Sequence, residues 1–328
     1  MERNMSKIKT LQQAIVYFSN PDNALDYMAN KLWPNGVTCP TCGRKDVVFL
    51  KNQRKWQCKS THKKRQFTAK VGTIFEDSPI PLEKWLPVVW MLSNCRNGVS
   101  SCEIARTINV TQKSAWFMLH RIRLAMQQGS LMKMGGNGTP VEVDETFIGG
   151  KARFMHADRR KKMTPSGLPN GVANKVVVGG ILERGGKVRT VVLEDRKRKT
   201  LQALVRDNVE YGSYLNTDDC QSYWGLYKDY IHEIVDHAET YVNGKVHTNG
   251  IENFWSLLKR GLKGTYVSVE PFHLFRYLDE QTFRYNNRKD GDEKITDFER
   301  FNIALSGVAG KRITYQELIG QSGATQAN

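Results

Sequence analysis

The sequence has no apolar run of about 18 residues. Its first residues, Met1-Glu2-Arg3-Asn4-Met5-Ser6-Lys7, lack the apolar core of a signal peptide. No membrane-spanning helix is expected, no basic amphipathic anchor stands out, and a cytoplasmic location is the default. Acidic residues are in short supply. Against 49 Lys and Arg stand 33 Asp and Glu, a formal charge of +16. That surplus predicts a polyanionic partner, because each Lys or Arg that meets a phosphate releases a condensed counterion. The bland alternative is a ribosomal or merely basic housekeeping protein. Repeats and low-complexity stretches are missing too, and 40% apolar with 25% charged residues is ordinary globular composition, not a disordered one. The six cysteines do not form a disulfide framework: Cys39, Cys42 and Cys58 cluster as a metal site would, while Cys95, Cys102 and Cys220 are scattered thiols.

At 328 residues the chain can hold two or three domains with their own cores. Residues 1–35 form an N-terminal helical segment, in which Asn20-Pro21 supplies a cap and a proline at the first helical position. Residues 36–78 are rich in Cys, Lys and Gly. Residues 79–133 read as helical. Gly135-Gly136-Asn137-Gly138-Thr139-Pro140 then predicts a flexible linker over 134–140. Beyond it the period changes. Strands are expected over 141–147, 175–182 and 187–193, the last two joined by the hairpin turn Gly185-Gly186. A helix over 201–209, strands over 213–217 and 232–235, and a helix over 250–262 follow. The order β-β-β-α-β-(α)-β-α implies an α/β domain over 141–290, a mixed sheet covered by helices. Residues 291–328 read as a C-terminal tail.

Cys39-Pro40-Thr41-Cys42-Gly43 has the form of a zinc knuckle, two thiolates followed by a glycine that lets backbone amides turn toward sulfur. Cys58 and His62 follow after a short hairpin, so a tetrahedral site of three Cys and one His is expected from Cys39, Cys42, Cys58 and His62. A structural zinc would supply the stability that so small a block cannot draw from its own core. A redox CxxC is the rival, opposed by the third Cys and by the lack of a thioredoxin-like βαβ unit.

Within the helical block Ser100 and Glu103 offer a capping box, Asn109-Val110 a turn and Thr111 a second cap. Ala115, Met118, Leu119, Ile122 and Met126 line one face of the second helix. A short helix, a tight turn and a longer basic helix is the helix-turn-helix pattern, although any two-helix hairpin would look similar. The outward side carries Gln112, Lys113, Ser114, Phe117, His120 and Arg121. On this reading Gln112 and Lys113 reach base edges, while Arg121 and Arg123 meet phosphates.

Three carboxylates can converge on one sheet edge. Alternation along 141–147 sets Val141 and Val143 on one face and Glu142 and Asp144 on the other. Asp218 ends the strand segment Tyr214–Asp218, and Glu252 opens the helix over 250–262, sharing a polar face with Ser256, Lys259 and Lys263. Hard divalent cations demand carboxylate oxygens. Two of them about 3.5–4 Å apart neutralise the attacking and leaving oxygens of a phosphodiester displacement. Asp144, Asp218 and Glu252 would hold two Mg²⁺ (or Mn²⁺) ions, and Lys259 would contact phosphate beside them. Ordinary surface charge is the competing reading. Glu145 points away from Asp144, Asp219 lies one step past its strand, and spacing leaves Glu142 open.

The motifs VDETFIGGK (143–151), Thr217-Asp218, and above all HTNGIENFWSLLKRG (247–261) resemble bacterial insertion-sequence transposases of the ISXO-like, zinc-ribbon group. Gly264-Thr265-Tyr266, RYLDE (276–280), FRYNNR (283–288), GTIFEDS (72–78) and Cys39-Pro40-Thr41-Cys42 extend the resemblance, which covers about residues 20–290. One departure stands out: Cys58-x₃-His62 replaces a second CxxC. The resemblance implies a ribonuclease-H-like catalytic domain and a DDE mechanism with Asp144, Asp218 and Glu252 as the acids. It implies double-stranded DNA as partner, both transposon ends and target, and at least a homodimer when two ends are paired. The rivals are a zinc-ribbon regulator without catalysis and a nuclease for RNA–DNA hybrids.

Overall fold

The structure, a computed structural model, describes residues 8–129, 132–149, 175–235 and 247–321. Gly150 and Lys151 of the VDETFIGGK motif, and the two chain ends, lie outside these. The chain divides into two compact units, residues 1–127 with 293–328, and residues 128–292.

Among the described residues, two helices and not one precede the strands of the first unit. A Thr10–Gln13 capping box starts α1 (Leu11–Phe18). Asn20 then accepts from the Asp22 amide, and Pro21 opens α2 (Pro21–Leu32) as the sequence predicts. Strands β1 (Val47–Leu50), β2 (Lys55–Cys58) and β3 (Gln66–Phe67) form an antiparallel sheet in that order. Trp56 sits 5.3 Å from Trp33 and 6.1 Å from Phe67 between ring centroids, a small aromatic core for the ribbon. Helices α3 (Leu82–Asn94), α4 (Ser101–Ile108) and α5 (Gln112–Met126) follow. Ser100 and Glu103 cap α4 reciprocally, Asn109 turns the chain in the left-handed region (φ 51°), and Thr111 caps α5. The stripe Ala115, Met118, Leu119, Ile122 and Met126 is buried.

The second unit is a mixed α/β domain on a five-stranded sheet. Its elements are β4 (Val141–Ile148), β5 (Val176–Glu183), β6 (Val188–Leu193), α6 (Arg198–Asn208), β7 (Tyr214–Asp218), β8 (Ile231–Val235), α7 (Asn249–Gly261) and α8 (Leu274–Asn286). The strand order is β6-β5-β4-β7-β8. β5 pairs antiparallel with both β6 and β4, while β7 runs parallel to β4 and β8 parallel to β7. Short 3-10 turns at Gln221–Tyr223 and Leu226–Lys228 stand between β7 and β8, where the sequence suggests a further helix. On one face Val141, Val143 and Ile181 pack with Leu201, Leu204 and Val205 of α6. On the other, Val178, Leu182 and Val188 pack with Ile251, Phe254 and Trp255 of α7 and Leu274 of α8. Adjacent glycines in β5 admit a helix on each side. A Cβ on Gly179 would lie 2.5 Å from Leu204, and one on Gly180 would lie 2.5 Å from Trp255.

Two boundary expectations need correction. Residues 134–136 are not a free linker. The Met134 amide donates to the Asn208 carbonyl (2.8 Å), Glu210 donates back to Met134 (2.8 Å), and the Gly136 amide donates to Ser213 Oγ (3.0 Å). Gly135, at φ +88°, is there for close approach, since a Cβ would meet Ser213 Oγ at 2.3 Å. The described residues after 291 are not a loose tail either. It forms α9 (Asp297–Ser306) and α10 (Tyr315–Leu318), each opened by a capping box. Phe301 is fully buried, with centroids 5.8 Å from Phe18, 6.0 Å from Tyr27 and 5.2 Å from Trp90. Tyr27 donates to Asn302 at 2.7 Å, and the Lys311 ammonium donates to the Leu124 and Gln127 carbonyls at the end of α5 (3.1 and 2.9 Å). A cation there also opposes the negative pole of the helix.

Truncating that aromatic contact tests the assignment. Phe301→Ala is expected to destabilise the first unit by about 3–5 kcal/mol in urea unfolding. A change within about 0.5 kcal/mol, the range of surface substitutions, would show that the segment is not part of the core.

Candidate functional site

The ligand atoms of Cys39, Cys42, Cys58 and His62 all lie within 4.8 Å of one another. Cys42 Sγ is 3.6 Å from Cys58 Sγ, and Cys39 Sγ is 3.4 Å from His62 Nε2. A tetrahedral zinc with ordinary bond lengths sets these edges at about 3.8 Å for S···S and about 3.6 Å for S···N, so the quartet fits that ion. Gly43, at φ +72°, lets the knuckle turn, and its amide donates to the Cys39 carbonyl at 2.8 Å. Burial pushes the Cys58 thiol up, but donors including the Ser60 amide and His62 outweigh it and bring the group down to about 6, toward the thiolate a metal needs. His62, the ligand without a CxxC to mark it, stands with the three thiols.

The outward side of α5 differs from expectation. Gln112 and Lys113 are exposed, as the sequence reading requires. Arg121 and Arg123 are not, at 4% and 1% exposure. Arg121 donates to the carbonyls of Ile74 (2.9 Å), Glu76 (2.7 Å) and Ile313 (3.3 Å). It therefore ties α5 to two loops and has no path to a phosphate. His120 is buried as well. The last segment also reaches this side: Tyr315 packs edge-on against Phe117, and Lys113 lies 4.4 Å above its ring.

In the second unit β4 carries carboxylates to both faces. Glu145 turns toward α6, where Tyr223 donates to it at 2.6 Å and Arg196 pairs with it. Glu142, which spacing left open, is fully buried on the α7 side and committed to structure. Arg184 pairs with it at 3.0 Å, and the Ile251 amide in the first turn of α7 donates to it at 3.0 Å. Arg184 also donates to the His247 carbonyl (2.9 Å), as Asn216 does (3.3 Å). Gly250 permits this seat, because a Cβ would meet Glu142 Oε2 at 2.7 Å. The HTNG segment thus brings the start of α7 onto the sheet edge.

Asp144 follows two residues later on the same face. Its Oδ1 accepts from the Glu145 amide (2.8 Å) and its Oδ2 from the Trp255 indole N–H (3.0 Å). The pairing of β4 with β7 runs to Glu142↔Asn216, and two residues beyond that pair on each strand stand Asp144 and Asp218. Burial, then the charges of Glu145 and Asp218, push the Asp144 carboxyl up to about 7. Glu252 accepts from the Thr248 hydroxyl at 3.0 Å. Asp144 and Glu252 line one open cleft of about 620 Å³, together with Glu145, Thr146, Trp255, Ser256, Lys259, Arg260 and Lys263. Asp218 neighbours it through Asp144 without lining it, and Asp219 is exposed past the strand. Burial lowers the Lys259 ammonium and the Asp144 charge opposes that shift. Sequence reasoning missed Arg184, Trp255 and Arg260. The signal for Trp255 was Gly180, a residue with no side chain paired directly with Asp144.

Comparison with known proteins follows this division. Residues 19–64 match the transposase zinc-ribbon domain, and residues 135–286 match the ISXO2-like transposase domain. An uncharacterized protein in the transposable element ISH50 of Halobacterium salinarum is 27% identical over 289 residues, 85% of this chain and 95% of the relative. An uncharacterized transposase-like protein of Haemophilus influenzae is 32% identical over 102 residues, 31% of this chain and 82% of the relative. The simian T-cell lymphotropic virus intasome in complex with PP2A regulatory subunit B56 gamma aligns over 65% of this chain and 74% of the matched chain. At 12% identity and a TM-score of 0.30 that superposition is too partial to bear on the fold. The chain belongs to the ISXO2-like transposases, with a transposase zinc-ribbon domain ahead of its ISXO2-like transposase domain.

Proposed function

We propose that this transposase cuts the ends of an insertion sequence and joins them to target DNA, with Asp144, Asp218 and Glu252 as the acids of a DDE site. The observation that carries the reading is the cleft in which Asp144 and Glu252 face Lys259, Arg260 and Lys263, with Asp218 level with Asp144. The acids in this cleft suit divalent cations, and its basic residues suit the substrate's phosphates. The strand order, three antiparallel strands followed by two parallel ones, supports a ribonuclease-H-like class for the domain.

Oxygen donors of this kind fit Mg²⁺ or Mn²⁺. Burial raises the Asp144 carboxyl most, the Glu145 and Asp218 charges add to it, and a cation would relieve that crowding of charge. When bound, two ions would neutralise the attacking and leaving oxygens of an in-line displacement. The chain's own residues do the rest. Glu142 and Arg184 hold the first turn of α7 against the sheet, Thr248 steadies Glu252, and Lys259 meets a phosphate next to the scissile bond. Hydrolysis would leave a 3′-OH that attacks target DNA, with no covalent enzyme intermediate.

On the same reading the first unit recognises the terminal inverted repeats. Its zinc is structural, held by Cys39, Cys42, Cys58 and His62. Helices α4 and α5 act as a helix-turn-helix, with Gln112 and Lys113 at the exposed start of α5 as the base-edge contacts. Arg121 and Arg123 take no part, being buried. Pairing two ends calls for a dimer or a larger assembly.

Asp144→Asn is expected to abolish cleavage and strand transfer on end-containing duplex DNA while leaving end binding within a few-fold. Equal loss of binding would count against the assigned role, and cleavage at the wild-type rate would refute it. Cys39→Ser should lower zinc content from about one ion per chain and weaken end binding or unfold the ribbon; a zinc-free, fully folded wild-type protein would overturn the structural-metal assignment. End binding should also fall linearly with salt on a log–log plot, and a flat plot would remove the phosphate contacts from the proposal.

A further inference from the structure

Trp255 does two things at once. Its ring belongs to the apolar core between α7 and the sheet, and its indole N–H leaves that core to donate to Asp144 Oδ2 at 3.0 Å. The second oxygen of the same carboxylate already accepts from the Glu145 amide at 2.8 Å. The indole can lie there because Gly180, paired with Asp144 across the β4–β5 ladder, has no side chain, and a Cβ would lie 2.5 Å from Trp255 Cζ2 and 2.9 Å from Ile251 Cδ1. A glycine inside a central strand weakens the strand and is found where another group must approach closely. Here that group is the indole.

An ionised carboxylate offers about four lone-pair directions, two on each oxygen. One on each is taken, by a backbone amide that the strand fixes and by an indole that the helix fixes. We propose that Trp255, seated over Gly180, is a positioning residue for Asp144: it locks the carboxylate so that one lone pair on each oxygen is left for a divalent cation, as an acid shared by two ions requires. The inference rests on the two-ion reading of the cleft. It gives α7 two tasks in that site, supplying Glu252 from its first turn and orienting the acid of β4 from its second.

The test uses the full-length protein without DNA and Mn²⁺ as the probe, with free Mn²⁺ counted by electron paramagnetic resonance. Wild-type protein is expected to bind Mn²⁺, and Asp144→Asn to lose that binding. Trp255→Phe, which keeps a ring and removes the donor, should weaken Mn²⁺ affinity by about 10–100-fold, the usual effect of losing a group that orients a metal ligand. Gly180→Ala should weaken it comparably with Trp255 intact, because the new methyl displaces the indole, and it decides the question if Trp255→Phe does not fold. Leu258→Ala, a core truncation on the same helix, should lower the melting temperature and leave Mn²⁺ affinity unchanged. If both Trp255→Phe and Gly180→Ala leave affinity at the wild-type level while Asp144→Asn abolishes it, the two-ion reading stands and the positioning role is overturned. If Leu258→Ala weakens binding as much as Trp255→Phe, the effect is general packing and the role is overturned as well. If Asp144→Asn binds Mn²⁺ like the wild type, the two-ion reading fails and takes this inference with it.

Discussion

One buried carboxylate, that of Glu142, ties the start of α7 to the sheet of the second unit. Glu142 lies inside the protein between the sheet and the start of α7, and a carboxylate in that place costs several kcal/mol unless charge and hydrogen bonds answer it. Arg184 supplies the charge, and the Ile251 amide, at the positive pole of α7, supplies a donor. Arg184 has donors to spare and turns one to the His247 carbonyl, so the chain entering α7 is held at the same point. Glu142 and Asp144 are two residues apart on one face of β4. The strand that anchors the first turn of α7 therefore also presents Asp144, which lines the same cleft as Glu252.

Glycine makes the closure possible in two places. At Gly250 its missing side chain admits the Glu142 carboxylate, and at Gly180 it admits the Trp255 ring. Neither position has a positive φ. What matters there is the space a Cβ would occupy, which differs from the reason for Gly43 in the metal knuckle, where the backbone itself turns left-handed. The first unit relies on other means. Its ribbon has a small aromatic core around Trp56 and a four-ligand cluster, whereas its helices close around Phe301, brought back from the far end of the chain. Arg121 shows the same principle in polar form: a long cation with three carbonyl partners is a strut between loops, not a hand for a phosphate.

The sequence by itself determined whatever depends on neighbours a few residues away. The caps at Asn20, Ser100 and Thr111, the hairpin glycines, the succession of strands and helices along the chain and the faces of Asp144 and Glu145 follow from local hydrogen bonding and from the two periods of backbone structure, and the spacing of Cys39, Cys42, Cys58 and His62 marks the ligand cluster. Tertiary structure decided the rest, because the deciding partner was far along the chain. Nothing local separates the buried Glu142 from the cleft-facing Asp144; Arg184 and Ile251 do. Nothing local says that Arg121 points inward, that Gly135 docks on Ser213, or that residues 297–318 are core and not tail; Ile74, Ser213 and Phe18 do. Periodicity assigns a side chain to a face, but a buried ionic group is tolerable only where a counter-charge meets it, and that meeting exists only once the chain has folded.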